Sequence, residues 1–107
     1  MISFKDWQKA ELKVAKIIAA EEIEGKDKLY KIQIDLGSEQ RQIIAGIKPF
    51  YEKEELQGKN IIVVANLEPA TIAGLQSEAM LLAAEDSEGK YKLVTIDDSV
   101  EAGTNVE

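Results

Sequence analysis

From Tyr30 to Leu36 the chain alternates without a fault. Tyr30, Ile32, Ile34 and Leu36 share one parity, and Lys31, Gln33 and Asp35 share the other. A period of two over residues 29–36 is a β-strand with one buried and one wet face. Such a strand needs partners, and the flanking turns supply them. Gly25-Lys26-Asp27 marks a turn on one side, and Gly37-Ser38-Glu39 makes a hairpin into a strand at Arg41–Ala45 on the other. Upstream, residues 12–23 read as one long strand whose alternation slips. Leu12 and Val14 share a parity, Ile17 and Ala19 take the other, and Ile18 and Ala20 return to the first. The slip predicts a bulge or bend near Ala15-Lys16.

The rest of the chain is read from its punctuation. Ser3 with Asp6 three residues on is a capping signal for a short helix over Phe4–Lys9, which carries Trp7. Gly46 breaks the third strand, Pro49 opens a helical turn, and Glu52–Leu56 is a short helix stopped by Gly58. Lys59–Ala65 is an apolar, β-branched run and hence a buried strand, ended by Asn66 and Pro69. Thr71–Gln76 reads as loop. Glu78–Ala84 suits a strand or a buried helix. The hairpin loop Glu85–Gly89, leading into Tyr91–Ile96, favours the strand. The tail Asp97–Glu107 holds Val100 and Val106, enough for one more edge strand.

Three strands, a short helix and two more strands is the order of an OB fold, a small barrel that commonly binds oligonucleotides. SH3-like barrels and half-sandwiches have similar strand lists. The expected architecture is all-β: a five-stranded OB-fold barrel with a short N-terminal helix, a short helix between strands 3 and 4, and a C-terminal extension. With 107 residues, the whole of 1–107 is expected to be one domain with one modest core.

The chain holds no Cys and no His. That excludes disulfide scaffolds, thiol nucleophiles, zinc fingers and His-based acid–base catalysis. No catalytic residue, metal ligand or cofactor is expected, and Asp97-Asp98 is a poor cation site because adjacent carboxylates on a strand point apart. Apolar runs such as Ile61–Ala65 fall far short of the ~20 residues that span a bilayer. Met1–Asp6 lacks the basic and apolar segments of a secretion signal, so a cytoplasmic location is expected. The net charge is −7, and it is unevenly placed. Residues 1–60 hold 11 basic and 11 acidic side chains, and residues 61–107 hold 2 and 9. Any face for a polyanion must therefore come from the first 60 residues.

Four segments carry a resemblance to a known family. They are Leu12-Lys13-Val14-Ala15-Lys16-Ile17, Asp27-Lys28-Leu29-Tyr30, Val63-Val64-Ala65-Asn66-Leu67-Glu68-Pro69-Ala70, and Gly74-Leu75-Gln76-Ser77-Glu78-Ala79-Met80-Leu81-Leu82-Ala83-Ala84. In this order and spacing they resemble the tRNA-binding domain family. That OB-fold module occurs at the C-terminus of many methionyl-tRNA synthetases, as a separate beta subunit, in stand-alone dimeric tRNA-binding proteins and in eukaryotic cytokine-like proteins associated with synthetases. The chain departs from the family pattern at Ala15 and Ala79, where glycine is usual. It also lacks a basic residue in Ala70-Thr71-Ile72-Ala73, where the family often has one.

The resemblance implies tRNA as partner and nominates Lys28 as a phosphate contact, Asn66 for a base edge or sugar, and Ser77 and Met80 in the groove. Lys13, Lys16, Lys31 and Arg41 lie on the first three strands and are candidates for a basic stripe, with Glu21, Glu22, Asp35 and Glu39 interleaved. Tyr30 falls on the apolar parity, which leaves Tyr91 as the plausible outward ring. Phe4 and Trp7 are placed to anchor a dimer or to cap the barrel. A dimer is implied by the resemblance, as is the catalytic subunit of a methionyl-tRNA synthetase as a further partner. The expected function is a non-catalytic tRNA-binding and dimerisation module assisting that synthetase. The rival reading is a dimeric protein-binding module of the secretion-chaperone or synthetase-scaffold kind.

Overall fold

A computed structural model describes residues 1–107. The elements run α1 (Phe4–Trp7), β1 (Leu12–Ile23), β2 (Lys26–Asp35), β3 (Gln40–Ala45), α2 (Lys53–Leu56), β4 (Asn60–Val64), β5 (Ala70–Ile72), β6 (Leu75–Ser77), β7 (Met80–Leu81), β8 (Ala83–Glu85), β9 (Tyr91–Leu93) and β10 (Asn105–Val106). The main sheet has the order β3-β2-β1-β4-β7, all antiparallel, with β10 added beside β1. This is the strand order of an OB-like fold, with α2 between strands 3 and 4.

The core follows the alternation read from β2. Tyr30, Ile32, Ile34 and Leu36 are buried together with Ala15, Ile17, Ile43, Ile61, Val63 and Leu56 of α2 in a cluster of 15 residues. Tyr30 donates its phenol to the Tyr51 carbonyl at 2.7 Å, and the Tyr51 hydroxyl accepts from the Leu93 N–H at 3.0 Å. Burial, followed by the nearby Glu52 and Glu22 carboxylates, raises the Tyr30 phenol above its ordinary range.

Several expectations are corrected. Ser3 does cap α1 through the Asp6 N–H, but the helix ends at Trp7 rather than Lys9. The turn before β2 is Glu24-Gly25, and Lys26 already belongs to the strand. The β1 bulge lies between Ile17 and Ala19, not at Ala15-Lys16. Ahead of it, both faces of β1 are covered. Ala15 and Ile17 face the main core, while Leu12 and Val14 join Ile62 in a second cluster flanked by Val64, Leu82, Ile96 and Val106. The first slip in alternation therefore records burial by the C-terminal extension.

Residues 70–77 form a hairpin, β5–β6, rather than a loop. Its turn, Ala73-Gly74, has φ of 53° and 77°, the double left-handed geometry of a type I′ turn. Ala73 is the one non-glycine residue at positive φ, so neither Ala15 nor Ala79 pays the backbone cost that replacing a glycine would suggest. The expected strand at 78–84 is broken at Leu82 into β7 and β8, and β9 stops at Leu93 rather than Ile96.

The extension is locked at one point. A Cβ on Gly103 would run into the Leu36 carbonyl, and a Cβ on Gly37 would come within 2.5 Å of the Ala102 carbonyl oxygen. Both glycines have left-handed φ. Two backbones meet here at a distance only glycine permits.

Candidate nucleic-acid interface

The ladder of the main sheet does not close, so the outer edge of β3 must be satisfied some other way. The chain at Gln76–Glu78 does this largely with side chains. The Ile44 N–H donates to Ser77 Oγ at 3.0 Å, and the Gln42 N–H donates to the Glu78 carboxylate at 3.1 Å. The Glu78 N–H returns to the Gln42 carbonyl at 2.9 Å, and Gln42 Nε2 reaches the Gln76 carbonyl at 3.1 Å. Ser77 is buried, and its hydroxyl also donates to the Ala79 carbonyl at 3.1 Å. Its hydroxyl, expected in the tRNA groove, is here engaged in the closure.

Arg41 sits half-buried at the same mouth. Its Nε donates to Glu39 at 3.0 Å, and Nη1 donates to the carbonyls of Ala65 and Glu78. The guanidinium is thus a strut from β3 to the segment after β4 rather than an open cation. Asn66 is similarly committed. Oδ1 accepts from the Glu11 N–H at 2.9 Å, and Nδ2 donates to the Lys9 carbonyl at 2.7 Å. The side chain, expected to meet a base edge or sugar, pins the link between α1 and β1. Met80, half-buried on β7 opposite Val64, packs against the core.

The cations do not form one stripe. Lys13 lies opposite Val63 on the inner parity, and it opens with Arg41 and Asn66 into a groove of about 280 Å³ edged by Glu11 and Glu39. Lys16 and Lys31 take the outer parity, where Lys31 pairs with Glu21 at 3.3 Å. Lys28 is exposed near the start of β2, at the other mouth, where the β1–β2 register shifts between Lys26 and Tyr30. It lies seven residues along from Asp35, the partner of Lys16. At ~3.4 Å per residue that is at most roughly 24 Å of strand. Lys28, Lys16 and Lys13 make no ion pair, whereas Lys31 and Arg41 do. One neighbour escaped the sequence reading. The Lys48 N–H donates to the Lys28 carbonyl at 3.3 Å, which sets a second lysine beside the first, with its own ammonium 3.3 Å from Glu22. The only signal for it was its place just after Gly46.

Phe4 is 72% and Trp7 40% exposed. With Ala10, Leu12 and Val106 they line a groove of about 440 Å³ between α1 and β10. The structure offers no cluster of three or more acidic side chains fit to hold a metal ion, and no helix long and apolar enough to cross a membrane.

Comparison with known proteins fits this geometry. The family model described as "Putative tRNA binding domain" matches residues 12–105. A methionine–tRNA ligase of Methanocaldococcus jannaschii is 48% identical over 99 residues, which is 92% of this chain but only 15% of the ligase. The chain thus spans less than a fifth of the length of such relatives. Among solved structures, a MetRS related protein from Pyrococcus horikoshii superposes with a TM-score of 0.94 at 36% identity, covering 100% of this chain and 98% of that one. A CsaA chaperone protein from Picrophilus torridus superposes with a TM-score of 0.90 at 33% identity, over the whole of both chains.

Proposed function

This chain belongs to the tRNA-binding domain family, and from that premise we propose that it is a non-catalytic module that binds tRNA, pairs with a second copy and assists an aminoacyl-tRNA synthetase. In this reading all of 1–107 acts as one domain, in the cytoplasm. Its partner is a catalytic subunit of the methionyl-tRNA synthetase kind, and its role resembles that of a separate beta subunit. The observation that carries the reading is the spread of uncommitted lysines. Lys28, Lys16 and Lys13 have no carboxylate partner and are spread over both faces and both ends of the β1–β2 ribbon, in the electrically neutral part of the chain. A small ligand cannot bridge such a span, but a polyanion with regularly spaced phosphates can.

Lys28, Lys16 and Lys13 contact phosphate directly. Lys31 joins them by exchanging its half-exposed pair with Glu21, a pair of little worth in water. Arg41 and Asn66 line the groove beside Lys13, while Ser77 holds the β3 edge and Met80 packs on the core behind it. The groove beside Phe4 and Trp7 receives the second copy, so that two weak sites act on one tRNA. The rival reading, a protein-binding module, draws on the similarity to a chaperone and on the exposed Ile2, Phe4 and Trp7.

Titration with total tRNA at low and physiological salt, with light scattering on the same sample, separates the two. A dimer that binds at micromolar concentration and weakens steeply with salt supports the tRNA module. A dimer that ignores tRNA even at low salt supports the protein-binding reading.

A further inference from the structure

Three of the chain's six aromatic rings meet away from the lysine-lined β1–β2 ribbon. Phe50 and Tyr91 stand edge to face, with centroids 5.6 Å apart and planes at 63°. Tyr51 lies between them and the core, fixed by its hydrogen bonds to Tyr30 and Leu93, with Lys59 Nζ 5.9 Å from its ring centroid. Pro49, Lys90 and Lys92 complete an open groove of about 420 Å³, room for a nucleoside. Leu93 is the residue of β9 that the core buries, whereas Tyr91 remains 38% exposed. Rings already held in place lose little freedom on binding, and every base has a face to stack.

The second half of the chain is acidic, and its hairpin holds Glu85, Asp86 and Glu88. The lining of this groove itself nevertheless carries two lysines and no carboxylate, a local exception that suits a phosphate-bearing ligand. Lys90 and Lys92 reach Glu88 and Asp86 only at 3.9 Å, and all four side chains are solvent-accessible. The Asp86 carboxylate is already occupied by the N–H groups of Glu88 and Lys90 within the hairpin loop. Such pairs exchange readily for phosphate. A proline-rich peptide would also suit an aromatic groove, but it carries no anion to match the flanking ammonium groups.

We propose that this groove is a stacking subsite for an unpaired nucleotide of RNA, with the base against Phe50 and Tyr91 and its phosphates met by Lys90 and Lys92. The proposal rests on the tRNA reading and extends it. Lys48 ties the segment holding Phe50 to Lys28, so one RNA can lay its backbone on Lys28 and an unpaired base on the rings.

The test is fluorescence anisotropy with a labelled eight-nucleotide single-stranded RNA and, separately, labelled folded tRNA. The proteins are wild type, Phe50→Leu, Tyr91→Ala, Tyr91→Phe and Lys28→Ala, each checked for its melting temperature. Removing either ring should weaken the oligomer about tenfold. Tyr91→Phe should behave like wild type, and Lys28→Ala should act mainly on tRNA. Phe50→Leu keeps apolar volume, so it decides the matter should Tyr91→Ala unfold. Oligomer binding unchanged by both ring losses, with tRNA still bound, overturns the subsite and leaves the tRNA module standing. Oligomer binding that depends on the rings, with no tRNA bound, overturns the module and supports the subsite. Wild type that binds neither RNA at low salt overturns both. A proline-rich peptide that binds through Phe50 while the oligomer does not assigns the groove to protein and overturns the subsite.

Discussion

The β1–β2–β3 meander and the stretch from Asn66 to Glu85 are held together in different ways. The meander has strands of 12, 10 and 6 residues, and its stability comes from ladders and from isoleucines on alternate positions. The later stretch has strands of two or three residues, too short to hold themselves. Asn66 and Ser77 reach back across 55 and 33 residues to backbone groups of the earlier part, and Arg41 of the meander reaches forward across 24 to the Ala65 carbonyl. The contrast divides the polar side chains by role. Those that close the barrel are already occupied, and those on the meander with no partner are available to a ligand.

Substitutions can break or sharpen this division. The largest effect is expected at the clasp between the extension and the meander. Gly103→Ala puts a Cβ into the Leu36 carbonyl at a left-handed φ and should destabilise the protein by about 3 kcal/mol or more. A urea midpoint close to wild type would mean that the extension does not brace the barrel. Ser77→Ala comes next. It strands the buried Ile44 N–H and should cost about 2 kcal/mol, read by the same unfolding curve. Asn66→Ala is the mildest, about 1 kcal/mol, because its partners are exposed. The Asn66 result also tests its role. Stability lost with tRNA affinity unchanged assigns it to structure, whereas affinity lost at constant stability would place its amide on the RNA.

The same contrast explains what the sequence made legible. β2 could be read from its residues because one face is buried and the other wet, so parity maps onto burial. β1 misled in its bulge position because the extension covers its outer face at Leu12 and Val14, and local parity cannot report a layer added by Ile96 and Val106. The β5–β6 hairpin was missed because Ala occupies the first left-handed position of its turn, where Asn or Asp would have signalled it. At the site, Lys28 was legible as a turn cation. The commitments of Asn66, Ser77 and Arg41 were not, because their partners lie far along the chain and follow no period. Phe50 gained its meaning only when β9 folded back to place Tyr91 beside it.

The salt dependence of tRNA binding by wild type and Lys28→Ala tests the division most directly. Lys28 is exposed, unpaired and outside the closure, so its loss should leave the melting temperature unchanged. It should weaken binding to all tRNAs alike and lower the slope of log K against log salt by about one. An unchanged slope with unchanged affinity would contradict the account, because it would mean that a free lysine of the meander takes no part in holding the RNA.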